Sequence, residues 1–183
     1  MDLPSYRDSP QLILTPATTP SPDTIAATNV QLAARLLFCL LQFLNMLQGF
    51  YKEIVLDHYQ RPRNRGELEN ADIEEHLNNP LCGDEVTVYA NVWDGQVNGL
   101  RFTGRGCSIS QASASMLTER LEGKGRDEAG AEIEAFLKMM RTEEREELGD
   151  LTALKGIIQA PNRIRCATLA WDAFKQGLEN HKE

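Results

Sequence analysis

From Tyr51 onward the apolar positions recur at helical spacing: Tyr51, Ile54, Val55, His58 and Tyr59 share one face. Pro62 and Gly66 in "RPRNRGEL" then close the helix, which sets His58 on its inward side. The pattern changes to strict alternation in "EVTVYANVW", with Val86, Val88, Ala90 and Val92 on one side and Thr87, Tyr89, Asn91 and Trp93 on the other. Asp94-Gly95 follows as a two-residue type I′ hairpin signal. The return strand "QVNGLRFTG" puts Leu100 and Phe102 on one face but leaves Val97 out of phase, which predicts a bulge near Asn98 and Gly99. "GRGCS" is expected to add a short third strand.

The remainder has helical periodicity. Ile109, Ala112, Met116 and Leu117 mark a helix rich in small residues that opens at about Ser108. Ile133, Phe136, Leu137 and Met140 mark another after the glycine-rich break "EGKGRDEAG", and Leu151, Leu154 and Ile158 a short third. Pro161 suits the first turn of a final helix with Cys166, Leu169, Ala170, Ala173 and Phe174 on one face. A small antiparallel sheet of about three strands packed with about five helices is an α+β plan.

Two tracts at the front differ from this unit. Residues 1–30, centred on "TPATTPSPDT", hold five of the eight prolines and no apolar periodicity, and are expected to be disordered. "LAARLLFCLLQFLNML", Leu32 to Leu47, is a short apolar helix broken by Arg35, Gln42 and Asn45, too interrupted to span a membrane. An amphipathic surface helix is one reading of it. The preferred one starts the folded unit at Met46, with residues 1–45 an upstream or non-native extension and 46–183 one domain. An intact mass of the native protein would decide this.

Composition narrows the function. Hydrophobic residues at 42% and charged residues at 25% fit one soluble domain. A formal net charge of -8 argues against nucleic acid, whose phosphates need a basic face. Four cysteines in a chain of this size, without a secretory signal, point to reduced thiols and a cytoplasmic location.

The thiols are unequal. Cys39 in "LLFCLLQF" has inert, apolar surroundings, whereas Cys82 lies on a turn, Cys107 at a strand-to-helix junction and Cys166 within the first turns of the last helix. Helix starts offer backbone N–H groups that favour the thiolate, and Arg163 and Arg165 push the same way. The spacings, 25 residues from Cys82 to Cys107 and a further 59 to Cys166, match no local zinc-finger pattern. Asp84, two residues after Cys82, reads by itself more readily as a turn residue or solvated strand-edge charge than as a ligand. His58 and His76 lack the orienting groups that a Cys-His hydrolase would need.

Four ordered segments, "HYQRPRNRGEL", "NPLCGDEV", "GRGCSISQASASML" and "PNRIRCATLAW", together resemble the NifU/IscU-type iron–sulfur cluster assembly proteins, and most closely their SufU branch. The likeness runs from Phe50 to about Leu178 and implies a SufE/NifU-like fold with a metal site on Cys82, Asp84, Cys107 and Cys166. Arg165 stands where the scaffold IscU-like branch has a histidine, and the Leu-Pro-Pro-Val-Lys chaperone stretch of that branch is absent. The helical insert "GKGRDEAGAEIEAFLKMM" is instead a SufU feature.

The resemblance therefore implies a zinc-dependent sulfurtransferase of the SUF type, taking persulfide sulfur from a SufS-type cysteine desulfurase and relaying it to a SufBCD-like complex. Three thiolates and one carboxylate around Zn²⁺ form a tetrahedral set in which hard Asp84 is the labile member. Cys82, on a mobile glycine-bearing loop, is the expected persulfide acceptor, Cys166 the runner-up, and Arg163 a group to steer docking or stabilise persulfide charge. One alternative is a scaffold for a transient [2Fe-2S] cluster on the same four ligands. Another is a non-catalytic, zinc-stapled interaction module.

Overall fold

The alternating segments form the sheet. In the computed structural model, which describes Leu37 and residues 52–142 and 148–181, β2 (Asp84–Trp93) and β3 (Gln96–Arg105) pair antiparallel. Asp94 (φ 53°) and Gly95 (φ 66°) both take the positive φ that a type I′ turn demands. The expected bulge is present: Ala90 pairs with Leu100 and Val92 with Val97, so Asn91 alone faces Asn98 and Gly99. That extra residue returns Val97 to the buried face beside Leu100 and Phe102.

The third strand is not "GRGCS". Gly104 and Arg105 finish β3, and Ser108 already opens the next helix. The sheet is completed instead by β1 (Ile73–Asn79), antiparallel to β2 on its other edge in the order β1-β2-β3. β1 reads "IEEHLNN", too polar to register as a strand, because its outer face is exposed. Its inner face is covered by the last helix, where Gly177 makes the approach possible: a Cβ there would lie 2.3 Å from Ile73 Cγ2. The free edge of β3 is covered by residues 64–66, with Gly66 N–H donating to Phe102 O and Phe102 N–H to Asn64 O.

Among the described residues of this unit the sheet is accompanied by five helices. The first, α1, spans 52–60; His58 is buried as expected, hydrogen-bonded to Ser115 Oγ at 2.9 Å, but Tyr59 is exposed rather than inward. α2 (Ser108–Leu121) is buried on most sides, which is why its residues are small rather than amphipathic. Ser113 Oγ donates to Ala167 O at 2.5 Å and accepts Trp171 Nε1–H at 3.0 Å, joining α2 to α4 (Pro161–Asn180). α3 (Arg126–Arg141) stacks Phe136 on Trp171, ring centroids 4.1 Å apart. Such a stack adds about 0.5–1.5 kcal/mol to the burial itself. The short third segment is a 3₁₀ helix, Gly149–Gln159, with Leu151 and Leu154 buried.

The chain divides into two units, Met1–Leu44 and Asn45–Glu183, and the elements above belong to the second. Apart from Leu37, the expectations for residues 1–45, Cys39 included, lie outside the described residues. Among the described residues no helix is long and apolar enough to cross a membrane.

One buried group runs against the rule that interior polar atoms are paired. Gln111, 4% exposed on α2, has neither amide atom hydrogen-bonded among the described residues. Replacing it with methionine, of similar length and apolar, is expected to raise stability by about 1 kcal/mol in urea unfolding. A loss of stability would show that the amide is engaged.

Candidate metal centre

Register builds the centre. Asn79, the last residue of β1, pairs with Asp84, the first of β2, so Pro80 to Gly83 must turn the chain between them. Asn79 O accepts the N–H groups of Cys82 (3.2 Å) and Gly83 (2.8 Å), and its Oδ1 accepts Leu81 N–H at 3.3 Å. The turn carries Cys82, half-buried, toward the first turn of α4, with Sγ 4.0 Å from Asn162 O and 3.9 Å from Arg163 Nη1. Leu81 beside it is 81% exposed.

Asp84 is 2% exposed. Its Oδ1 accepts Cys107 N–H at 2.9 Å, and Cys107 Sγ lies 3.4 Å from Oδ2. Cys107 is the N-cap of α2, and Ser110 Oγ donates to its carbonyl at 3.1 Å. Burial pushes the Asp84 carboxyl up, but hydrogen bonds from Cys166, from the N–H and thiol of Cys107 and from Ser110 together hold it below the usual range. Gly106 is required here, since a Cβ would stand 2.6 Å from Asp84 Oδ1 and 2.7 Å from Ser110 Oγ.

Cys166 is fully buried. It lies past the first turn of α4, with its N–H inside the helix rather than at an open end, so the expectation that a helix start favours its thiolate does not hold. Burial, then Asp84 and the neighbouring thiols, push its thiol strongly up. Asn79 Nδ2 donates to its sulfur at 3.4 Å. Of the two arginines, Arg165 is exposed and Arg163 approaches the thiols; contact with Cys166, then the charge of the other cysteines, holds the guanidinium more firmly protonated.

The ligand atoms of Cys82, Asp84 and Cys166 lie within 4.8 Å of one another. A tetrahedral zinc with Zn–S of about 2.3 Å spaces its sulfurs ~3.8 Å apart, so the three fit such an ion after a small contraction. Cys107 touches Asp84 but stands outside that mutual distance. Two thiols, a third against the carboxylate and one buried acid form a donor set suited to a borderline-soft cation. His58 and His76 are engaged elsewhere, with Ser115 and Thr87. Asn79, Gly106 and Ser110 escaped the sequence reading; only the Asn-Pro turn signal hinted at the first.

The NifU-like N-terminal domain matches residues 50–183. The chain belongs to that family. It is 41% identical over 135 residues to the zinc-dependent sulfurtransferase SufU of Bacillus subtilis, covering 72% of this chain and 91% of the relative. It is 37% identical to the iron–sulfur cluster assembly scaffold protein IscU of Streptococcus pyogenes, covering 74% and 87%. A crystal structure described as an iron–sulfur cluster assembly scaffold protein for the SUF system, from Fervidobacterium islandicum, superposes with TM-score 0.66 at 32% identity, covering 69% of this chain and 94% of that one. The three-stranded sheet with five helices is thus the NifU-like arrangement, and the thiol cluster lies within the matched residues.

Gly106→Ala is expected to drive the Asp84 carboxylate off Cys107 N–H, costing about 1–3 kcal/mol in urea unfolding with the far-UV circular dichroism unchanged. Unaltered stability would mean that the close approach is dispensable.

Proposed function

We propose that residues 46–183 form an iron–sulfur cluster assembly protein of the SUF type, a zinc-dependent sulfurtransferase working in the cytoplasm. It takes sulfur from a SufS-type cysteine desulfurase and delivers it to a SufBCD-like complex. The observation that carries this reading is the convergence of Cys82, Asp84 and Cys166, with Cys107 against the carboxylate. The name of the Bacillus subtilis relative supports it.

Cys82, Asp84, Cys107 and Cys166 would hold the ion, and zinc when bound would keep the thiols deprotonated without adding redox chemistry. The chain's own groups do the rest. The Cys82 thiolate attacks the outer sulfur of the donor persulfide. The donor S–S bond breaks, its electron pair leaves on the donor cysteine sulfur, and a new S–S bond forms on Cys82 with the transferred sulfur's proton travelling along. No oxidant is consumed. Arg163, 3.9 Å from Cys82 Sγ, is placed to stabilise the anionic sulfur before and after transfer. Cys107 and Cys166 are fixed on helices and serve as anchors, with Cys166 the alternative acceptor. Asp84, a poorer match for zinc than a thiolate, makes the set exchangeable.

The second reading is a scaffold whose cargo, a transient [2Fe-2S] cluster, is assembled on the same four residues; the scaffold names of two relatives favour it. A purely structural zinc staple would instead tolerate Asp84→Cys in every assay.

Cys82→Ala, Cys107→Ala and Cys166→Ala are each expected to reduce stimulation of a SufS-type desulfurase about tenfold or more, read as alanine released from cysteine. Full stimulation by all three variants would end the proposal.

A further inference from the structure

Asn79 closes β1 with no exposed surface and joins the three groups whose ligand atoms converge. Its backbone carbonyl accepts the N–H groups of Cys82 and Gly83, its strand register faces Asp84, and its Nδ2 donates to Cys166 Sγ at 3.4 Å. The amide is oriented from its other end. Oδ1 accepts Leu81 N–H at 3.3 Å, so a flipped side chain would lose that bond and turn an oxygen toward the sulfur. Both ends of this buried amide are thus engaged at the centre.

Charge explains why a donor is needed there. Two thiolates and a carboxylate around a divalent cation leave one net negative charge, and Cys107 would make it two. Cys166 and Asp84 hold their part of that charge away from water, where hydrogen-bond donors must offset it. Asp84 has the Cys107 N–H, and half-buried Arg163 meets both Cys82 and Cys166. Asn79 adds a donor to the Cys166 sulfur from within the fold. A thiolate has lone pairs beyond the one it gives to a metal, so the amide N–H and an ion do not compete for it.

We infer that Asn79 is a positioning residue for the metal, which fixes the Cys166 sulfur relative to the Cys82 turn and takes up part of that sulfur's negative charge, so that the ion is held more tightly than the ligands alone would hold it. Hydrogen-bond partners behind metal ligands govern about 10–100-fold in affinity. The inference rests on the zinc part of the proposed function and is independent of sulfur transfer.

Two variants separate the ends of the amide. Asn79→Ser keeps a short acceptor for Leu81 N–H but falls short of Cys166, whereas Asn79→Leu, of similar shape, loses both ends. Zinc affinity of the full chain is measured at one fixed pH by competition with a chromophoric chelator. Both variants are expected to bind zinc about tenfold or more weakly. An Asn79→Ser chain that binds as tightly as the unaltered one overturns the inference, because the turn acceptor alone would then suffice.

A loosened fold would also weaken binding, so the same proteins are saturated with Co²⁺ and their thiolate-to-cobalt charge-transfer absorption is recorded. An N–H donated to sulfur lowers the energy of its lone pairs, and losing it is expected to move the band to longer wavelength in both variants. Weaker binding with the band unmoved would reveal mere loosening and overturn the inference. If the unaltered chain holds neither zinc nor cobalt, the inference falls together with the zinc reading; if it holds them and both variants match it, the inference alone falls.

Discussion

Asp84 carries a carboxylate into a position that is 2% exposed, and the centre is organised around keeping that charge satisfied. Taking an ionised group out of water costs several kcal/mol unless hydrogen bonds replace the lost solvation. Here the replacement comes from the Cys107 N–H at the head of α2, with the Cys166 and Cys107 thiols close by. Because Asp84 opens β2, Cys107 caps α2 and Cys166 lies on α4, satisfying one carboxylate requires three elements to meet at one point. The convergence of these candidate ligands thus follows from the fold's own electrostatics.

The supports of that point extend outward. Phe136 of α3 stacks on Trp171 of the helix that bears Cys166. Trp171 in turn donates to Ser113, two turns along α2 from the Cys107 cap. Cys107 and Cys166 are therefore braced through the core. Cys82 is instead carried by a four-residue turn hung from Asn79, its sulfur against Asn162 and Arg163. Rigid thiols on one side and a loop-borne thiol on the other is an arrangement suited to giving up one ligand at a time.

Much of this was legible in sequence, for physical reasons that also explain the failures. β2 and β3 declared themselves because one face is core and the turn chemistry is strict; even the bulge followed from Val97 being out of phase. β1 did not, because an edge strand covered on one face by a helix needs few apolar residues, and "IEEHLNN" offers only Ile73 and Leu77. Missing β1 hid the Asn79 register and with it the group that joins Cys82 to Cys166. Four ordered motifs singled out Cys82, Asp84, Cys107 and Cys166, and the structure brings Cys82, Asp84 and Cys166 together with Cys107 against the carboxylate, but the motifs said nothing of their environments. Periodicity placed Cys166 on the packed face of its helix without showing that burial overrides any effect of the helix start. Likewise, closeness in sequence made Arg163 and Arg165 look equivalent, whereas residues two apart on a helix point about 200° apart and only Arg163 meets the sulfurs.

The central claim is that the four-residue set guards thiolates for sulfur transfer. It is tested most directly by measuring zinc, iron and acid-labile sulfide per chain in protein purified without oxygen and without added metal. About one zinc per chain is expected, as a single tetrahedral site requires, with iron and sulfide negligible. Iron and sulfide in equal amounts, with little zinc, would contradict it and make the cluster scaffold the better description.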